Sequence, residues 1–383
     1  MPGPERPPRV LVNALALHDS RDAARTFLEN LIERLPDAWP EADVHVLARH
    51  GVRIPGESRV RVVRIRALGS GIARVADDLL RLPRAAERVD ADVVVSPNES
   101  VPTRLRRPVV VVAQNLLYHC PQIGPLDAGS WHARLRSRLQ FRFYRWQMPR
   151  AYARADVVVT VSEHAAHELA ERAGLDLARV RIVPYGADRL PVAARREPAS
   201  PRMLLTLGSL AHYKRLDVAI RALAQLRRDG GDYELVLAGG AWPGVAESLE
   251  RLARELGVAD AVRLTGSVDP AGIASLFSEA HAFVSLSACE SFGIPVVEAM
   301  RAGVPAVVAD EPWSAETVGD AAVRVDTREP RAVAAGIRLL ADPEEWRRRS
   351  EIGIAAAARY TWSSNAEGVA AAAAAVVGRG RAR

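Results

Sequence analysis

The chain has 383 residues, 49% hydrophobic and 26% charged, with two cysteines (Cys120 and Cys289) and a formal net charge of +6. That length exceeds one ordinary core and fits two domains, while the composition excludes a disordered chain and so few cysteines exclude a disulfide framework. There is no apolar run of the roughly 20 residues that span a bilayer and no signal-like stretch at the start, so a cytoplasmic protein is expected, its positive charge suited to phosphorylated small molecules or anionic lipid.

Taken in chain order, β-branched runs predict strands at Arg9–Asn13, Asp43–Leu47, Val60–Ile65, Asp92–Val95, Val109–Ala113, Asp156–Val161 and Arg181–Val183. Several are apolar throughout, as strands buried on both faces should be. Helical patterns fall between them, among others at Ala23–Arg34 and at Glu163–Arg172, the latter with Ser162 as cap. The loop after the first strand carries His18 and Arg21 as candidate acceptor contacts. Asn98, Glu99 and His119 are further acceptor candidates, and Gln114 follows the fifth strand directly.

The segment 131–150 interleaves Arg134, Arg136, Arg138, Arg142, Arg145 and Arg150 with Phe141, Phe143, Tyr144 and Trp146. Two readings stand side by side. One is a membrane-surface helix serving a lipid-linked acceptor, which would place the protein at the inner membrane face. The other is an amphipathic helix that packs its aromatics into the first domain. Nucleic acid is set aside as a partner, because no binding motif accompanies the charge.

Three prolines within 191–201 mark a linker, which divides the chain into domains at 1–188 and 202–360 with 189–201 between them. A second alternating series follows. Strands are expected at Met203–Leu207, Glu234–Ala238, Val262–Leu264, Ala282–Leu286, Ala306–Ala309 and Ala322–Val325. Helices are expected at Arg215–Arg228, Glu247–Leu256, Pro270–Ser278, Pro295–Ala302, Pro330–Leu340 and Pro343–Ala358. The Ala-rich stretch 361–383 is expected to be a helix that packs back on the first domain. The alternation predicts an α/β protein of two Rossmann-like domains, which bind ligands at the carboxyl ends of their strands.

Two segments of the second series carry chemistry. In Leu207-Gly208-Ser209-Leu-Ala-His212-Tyr-Lys214-Arg215, a lysine just past a glycine turn suits a leaving diphosphate, whose growing charge it neutralises. In Glu290-Ser-Phe292-Gly293-Ile294-Pro295-Val-Val-Glu298, a loop glycine and a proline-started helix make an anion site, with one carboxylate on either side of it. A carboxylate accepts hydrogen bonds from vicinal hydroxyls, so this layout matches the sugar, diphosphate and ribose of a nucleotide-sugar. Spacing alone leaves open that Glu290 is solvated loop and that Glu298 only balances the helix dipole.

The stretch from Glu290 through Glu298-Ala-Met-Arg-Ala-Gly-Val-Pro305 resembles the Glu-x7-Glu signature of the retaining GT-B glycosyltransferases of family four. The resemblance implies two domains facing across a cleft, with the donor in the C-terminal one. It assigns Glu290 to donor-sugar hydroxyls, Glu298 to the ribose, and the backbone of Phe292, Gly293 and Ile294 to the diphosphate. The segment from Gly208 to Lys214 is similar to the family's glycine–lysine element, with Ser209 standing where an arginine is usual and Arg215 or His212 as its replacement. The usual Gly-Gly of the first loop is absent from 17–23. Gln114-Asn115 stands where His-Asp is usual, which puts Gln114 against the donor sugar. The implied reaction moves a sugar from a UDP- or GDP-linked donor to a glycan, lipid-linked or small-molecule hydroxyl, with retention, no cofactor and no metal. Alternatives are a non-catalytic nucleotide-sugar-binding protein and a GT-B epimerase or hydrolase.

Overall fold

The computed structural model describes residues 6–17, 23–66, 72–97, 101–102, 104–114, 116–121, 123–124, 131–189, 200 and 202–381. The chain separates into two compact units. The first comprises 1–119, 142–186 and 361–383, and the second 120–141 and 187–360. Residues 120–141 thus group with the second unit, although the sequence reading placed them in a domain ending at 188. Packing rather than chain order decides membership, and a segment between two strands is covalently free to join either core.

The first unit holds a seven-stranded parallel sheet built from β1 (Arg9–Asn13), β2 (Asp43–Arg49), β3 (Arg61–Ile65), β4 (Val93–Ser96), β5 (Val109–Ala113), β6 (Val157–Thr160) and β7 (Val180–Ile182). Its spatial order is β3-β2-β1-β4-β5-β6-β7. The middle strands are valine runs buried on both faces, which is why they read as continuous apolar stretches. Helices α1 (Ala23–Ala38), α2 (Ile72–Arg88) and α4 (Glu163–Ala173) join the strands, together with the part of α3 (Trp131–Arg154) from residue 142 onward. The α1 helix runs one turn past the expected Arg34, through Pro36, which in a last turn removes only a single internal bond. The α2 helix is one of the helices expected between these strands, without bounds set from the sequence.

The final helix of the chain, Trp362–Arg381, packs on α1 and on strands β4 to β6. Trp362 is fully buried there. Gly186 makes the crossing possible, since a Cβ at that position would stand 2.2 Å from the Trp362 amide nitrogen. Asn365 Nδ2 donates to the Pro184 carbonyl at 2.8 Å and fixes the register of the same contact.

The second unit repeats the plan. Its strands are β8 (Arg202–Leu207), β9 (Tyr233–Ala238), β10 (Val262–Gly266), β11 (Ala282–Ser285), β12 (Ala306–Ala309) and β13 (Val323–Val325), all parallel, in the order β10-β9-β8-β11-β12-β13. Helices α5 (Leu216–Arg228), α6 (Val245–Glu255), α7 (Pro270–Glu279), α8 (Ile294–Arg301), α9 (Pro312–Thr317), α10 (Pro330–Leu339) and α11 (Pro343–Ala357) complete it, and α12 is the final helix already described. The short α9 helix was not anticipated. The core gathers Ile220, Leu223, Leu235, Leu237, Val284, Val307, Val333 and Ile337. Both sheets reverse direction of growth beside their first strand, at β1/β4 and at β8/β11. Open α/β sheets place ligands outside the carboxyl ends of the strands at such switch points.

Candidate active site

The two strands flanking the second switch point each release a loop that carries a charged side chain. After β8 come Gly208, exposed Ser209 and a single 3-10 turn over His212–Lys214. After β11 come Ser287, Ala288, Cys289 and Glu290. The Ala288 amide donates to the Tyr213 carbonyl at 2.9 Å and ties the loops together one residue from Lys214 and two from Glu290. The result is a direct ion pair between Lys214 Nζ and a Glu290 carboxylate oxygen, with the side chains only 17% and 18% exposed. Burial works against the Lys214 charge, but the Glu290 carboxylate outweighs it and holds the ammonium above the usual lysine range. Lys214 Nζ also lies 5.2 Å from the centre of the Tyr213 ring, which meets Trp242 edge to face. Burial raises the Tyr213 phenol above its ordinary value, so that ring is a neutral wall beside the pair.

Four residues beyond Glu290, α8 begins. Gly293 caps it at φ 86°, with no side-chain hydrogen bond to the first amides. Two constraints make this residue a glycine. The backbone is left-handed, and a Cβ would sit 2.8 Å from Trp313 Cζ3. Trp313 itself is buried and donates through Nε1 to the Ser287 carbonyl at 3.3 Å. Phe292 buries its ring edge to face on Tyr360, 5.1 Å between centres. These anchors fix the path of the backbone through Phe292, Gly293 and Ile294. The helix starts at Ile294, one residue ahead of the expected Pro295.

Glu298 lies inside α8. Burial pushes its carboxyl up to about 7, only partly offset by Arg189, so near neutrality it is poised between its two charge states. Arg215 adopts a left-handed backbone at φ 51°, rare and mildly strained for a side-chain-bearing residue. Its guanidinium reaches Glu311 Oε1 at 3.1 Å and the buried Thr327 hydroxyl. Arg215, expected beside the diphosphate in place of the arginine that Ser209 lacks, is therefore already engaged, and His212 is exposed.

The first unit treats its candidates differently. Gln114 is clasped at both ends of its amide, accepting from the Tyr185 hydroxyl at 2.9 Å and donating to the Pro97 carbonyl at 3.2 Å. His119 was expected to touch the acceptor, but its side chain is buried. Burial, with the charges of Arg145 and Arg172, holds the imidazole below the usual histidine value. His18, Arg21, Asn98 and Glu99 lie outside the described residues, as does the linker segment 190–199.

A parallel-sheet unit with a lysine and a glutamate paired at its switch point, followed by an uncapped helix start, is the arrangement to compare with known proteins. A family model described as Glycosyl transferases group 1 matches residues 192–357, and one described as Glycosyltransferase Family 4 matches 24–189. The chain belongs to the group 1 glycosyltransferases of the GT-B type. Within that family it is similar to the glycogen synthase of Mycobacterium tuberculosis, 31% identical over 255 residues that cover 63% of this chain and 59% of that one. It is also similar to the D-inositol 3-phosphate glycosyltransferase of Nocardia farcinica, 33% identical over 236 residues, 57% and 52% of the two chains. The matches thus span little more than half the length of these group 1 relatives. Among solved structures, HepE of Anabaena in complex with UDP-glucose superposes with a TM-score of 0.69 at 17% identity over 95% of this chain and 98% of that one. This last likeness concerns the GT-B fold alone.

Sequence reasoning missed Glu311, Thr327, Tyr213 and Trp313. Glu311 and Thr327 lie 96 and 112 residues from the Arg215 they hold, and no local pattern joins such positions. Trp313 had a signal: a tryptophan directly after proline at a strand end is an anchor.

Proposed function

We propose that the chain is a retaining glycosyltransferase that moves a sugar from a nucleoside-diphosphate-sugar to a hydroxyl acceptor. The observation that carries this reading is the Lys214–Glu290 pair at the β8/β11 switch point, followed directly by the uncapped start of α8. The diphosphate sits against the α8 amides and Lys214, where aligned backbone dipoles and a desolvated ammonium favour negative charge. Its arrival draws Lys214 toward phosphate and frees Glu290 to accept hydrogen bonds from donor-sugar hydroxyls. Glu298, as carboxylate, accepts from the ribose diol.

In the reaction the bond between the anomeric carbon and the β-phosphate oxygen breaks through an oxocarbenium-like state. The acceptor oxygen bonds to the same face of that carbon, and its proton passes to the departing phosphate. Lys214 and the helix start stabilise the charge left on the nucleoside diphosphate, so the reading assigns no cofactor and no metal. UDP is the first nucleotide to try, since HepE was solved with UDP-glucose. The acceptor is a glycan, a lipid-linked sugar or a small polyol, the relatives being named for glycogen and for D-inositol 3-phosphate. The protein acts in the cytoplasm. No helix among the described residues is long and apolar enough to cross a membrane.

The test is a calorimetric titration of the protein with UDP, GDP and dTDP, with Glu298→Ala as control. Preference for one diphosphate, weakened in the variant, supports the donor site. Failure of all three to bind overturns it.

A further inference from the structure

Of the 52 lysines and arginines in the chain, Lys214 is the only lysine. That single compact ammonium stands at the β8/β11 switch point, paired with Glu290. The next residue is what aims it there. Among the described residues, Arg215 and Asp90 are the only non-glycine positions with positive φ. Arg215 separates the 3-10 turn over His212–Lys214 from α5. Its amide donates to the His212 carbonyl at 3.1 Å, and its own carbonyl accepts from the Val218 amide at 3.1 Å. A right-handed φ at 215 would run turn and helix together and leave Lys214 on the surface of α5. The left-handed bend keeps the two apart, so the loop can turn Lys214 toward Glu290.

A strained bend in a side-chain-bearing residue persists where its surroundings over-determine it. Arg215 has such surroundings. Its Nη1 donates to Glu311 Oε1 at 3.1 Å and to the Thr327 hydroxyl. Glu311 stands just past β12 and Thr327 just past β13. Arg215 and Glu311 are mostly buried side chains, and Thr327 is buried. One guanidinium thus latches the loop after β8 to the loops after β12 and β13, while the neighbouring ammonium reaches the loop after β11. Arginine suits the latch, since its charge is fixed and its donors lie in a rigid plane. Lysine suits the ligand side, with a compact charge on a flexible stem.

We infer that Arg215, latched by Glu311 and Thr327, is the positioning residue for Lys214: it maintains the left-handed bend that holds the chain's one ammonium at Glu290. The consequence for catalysis rests on the donor-site reading proposed above, in which Lys214 meets the departing diphosphate. Arg215 does not touch the ligand and acts through Lys214.

The experiment is reductive methylation of the full chain with formaldehyde and cyanoborohydride. Because Lys214 is the only lysine, it and the terminal amine alone react, and peptide mass spectrometry separates the two. Rates are compared for the unaltered chain, Arg215→Ala, E311Q/T327V and Arg331→Ala, the last an exposed arginine of α10 that controls for charge. Breaking the latch releases Lys214 from the carboxylate that holds its ammonium above the usual range. Its methylation is then expected to quicken about tenfold or more, since free amine rises tenfold for each unit by which the pKa falls. Arg331→Ala is expected to leave the rate unchanged. An unchanged rate in latch variants that circular dichroism and thermal midpoint show to be folded overturns the inference. Should they misfold, the isosteric Glu311→Gln alone decides: a faster rate supports the latch and an unchanged one refutes it.

UDP titration then separates positioning from contact. Latch variants are expected to lose about tenfold in affinity, as a charge-assisted hydrogen bond to phosphate is loosened. Lys214→Ala is expected to lose nothing more when Arg215→Ala is added, because both changes remove one interaction. A further loss in the double variant means that Arg215 meets the ligand itself, and overturns the inference. If none of UDP, GDP and dTDP binds the unaltered chain, the donor-site reading fails, and the methylation rates still decide the latch.

Discussion

The two units share the order of six strands around the same kind of switch point, yet the loops after β8 and β11 and the loop after β5 have opposite characters. Beside β8 and β11 a largely buried lysine and glutamate face each other, and the adjoining helix starts without a side-chain cap. Beyond β5 in the first unit, Gln114 has both ends of its amide committed to Tyr185 and Pro97, and His119 is buried. One scaffold therefore holds a paired lysine and glutamate, and the other holds a polar clasp on Gln114. A parallel sheet fixes where a ligand can sit, and the side chains at the loop ends decide whether anything there binds it.

The strongest way to break that contrast is Lys214→Ala. If the ammonium stabilises the departing diphosphate, transfer falls by about 10²–10³-fold in a radiolabelled donor assay. An active variant would reduce the Lys214–Glu290 pair to a structural feature. Next comes Gly293→Ala, which forces a side chain into the left-handed region and against Trp313. It is expected to cost about 1–3 kcal/mol in denaturant unfolding and to weaken diphosphate binding at the same time. Loss of stability with unchanged binding would separate the loop from the ligand.

The titration of Glu298 gives a subtler test. Its folded value of about 7 lies above the 4.5 of a free glutamate, so the native state holds the extra proton between those values. Stability accordingly falls as pH rises from 4.5 to about 7 and levels off above, by about 3 kcal/mol at most. Glu298→Gln abolishes that slope, leaving the variant the more stable one at pH 8. Nucleoside diphosphate binding should run the other way and strengthen from pH 6 to 8, because the carboxylate form accepts from the ribose. A pH-independent affinity would remove Glu298 from the ligand. The smallest effect belongs to Gln114→Ala, which removes the hydrogen bond from the Tyr185 hydroxyl at a cost of about 1 kcal/mol in thermal unfolding. Diphosphate affinity is expected to stay the same. A large loss there would move Gln114 from clasp to donor contact.

Much of this was legible beforehand. The valine runs of β5 and β6, the proline and glycine that bracket α8, and the Glu290-to-Glu298 spacing are local signals, and each is governed by backbone preferences within a few residues. The bounds of the α2 helix were not, since Pro83 lies within it. Nor was the fate of Arg215, whose partners come from loops after β12 and β13. The aromatics of α3 were undecided from sequence, since the same periodicity serves a buried face and an exposed one.

The sequence by itself determined the alternation of strands and helices and the identity of the charged groups at the second switch point. Periodicity, punctuation and residue chemistry are written along the chain. Only the tertiary structure decided that Lys214 meets Glu290, that burial lifts Glu298 toward neutrality, that Gln114 is occupied, and that Trp131 and Trp146 face water. Those outcomes depend on what packs beside each side chain, and desolvation and pairing arise between positions that the chain order keeps far apart.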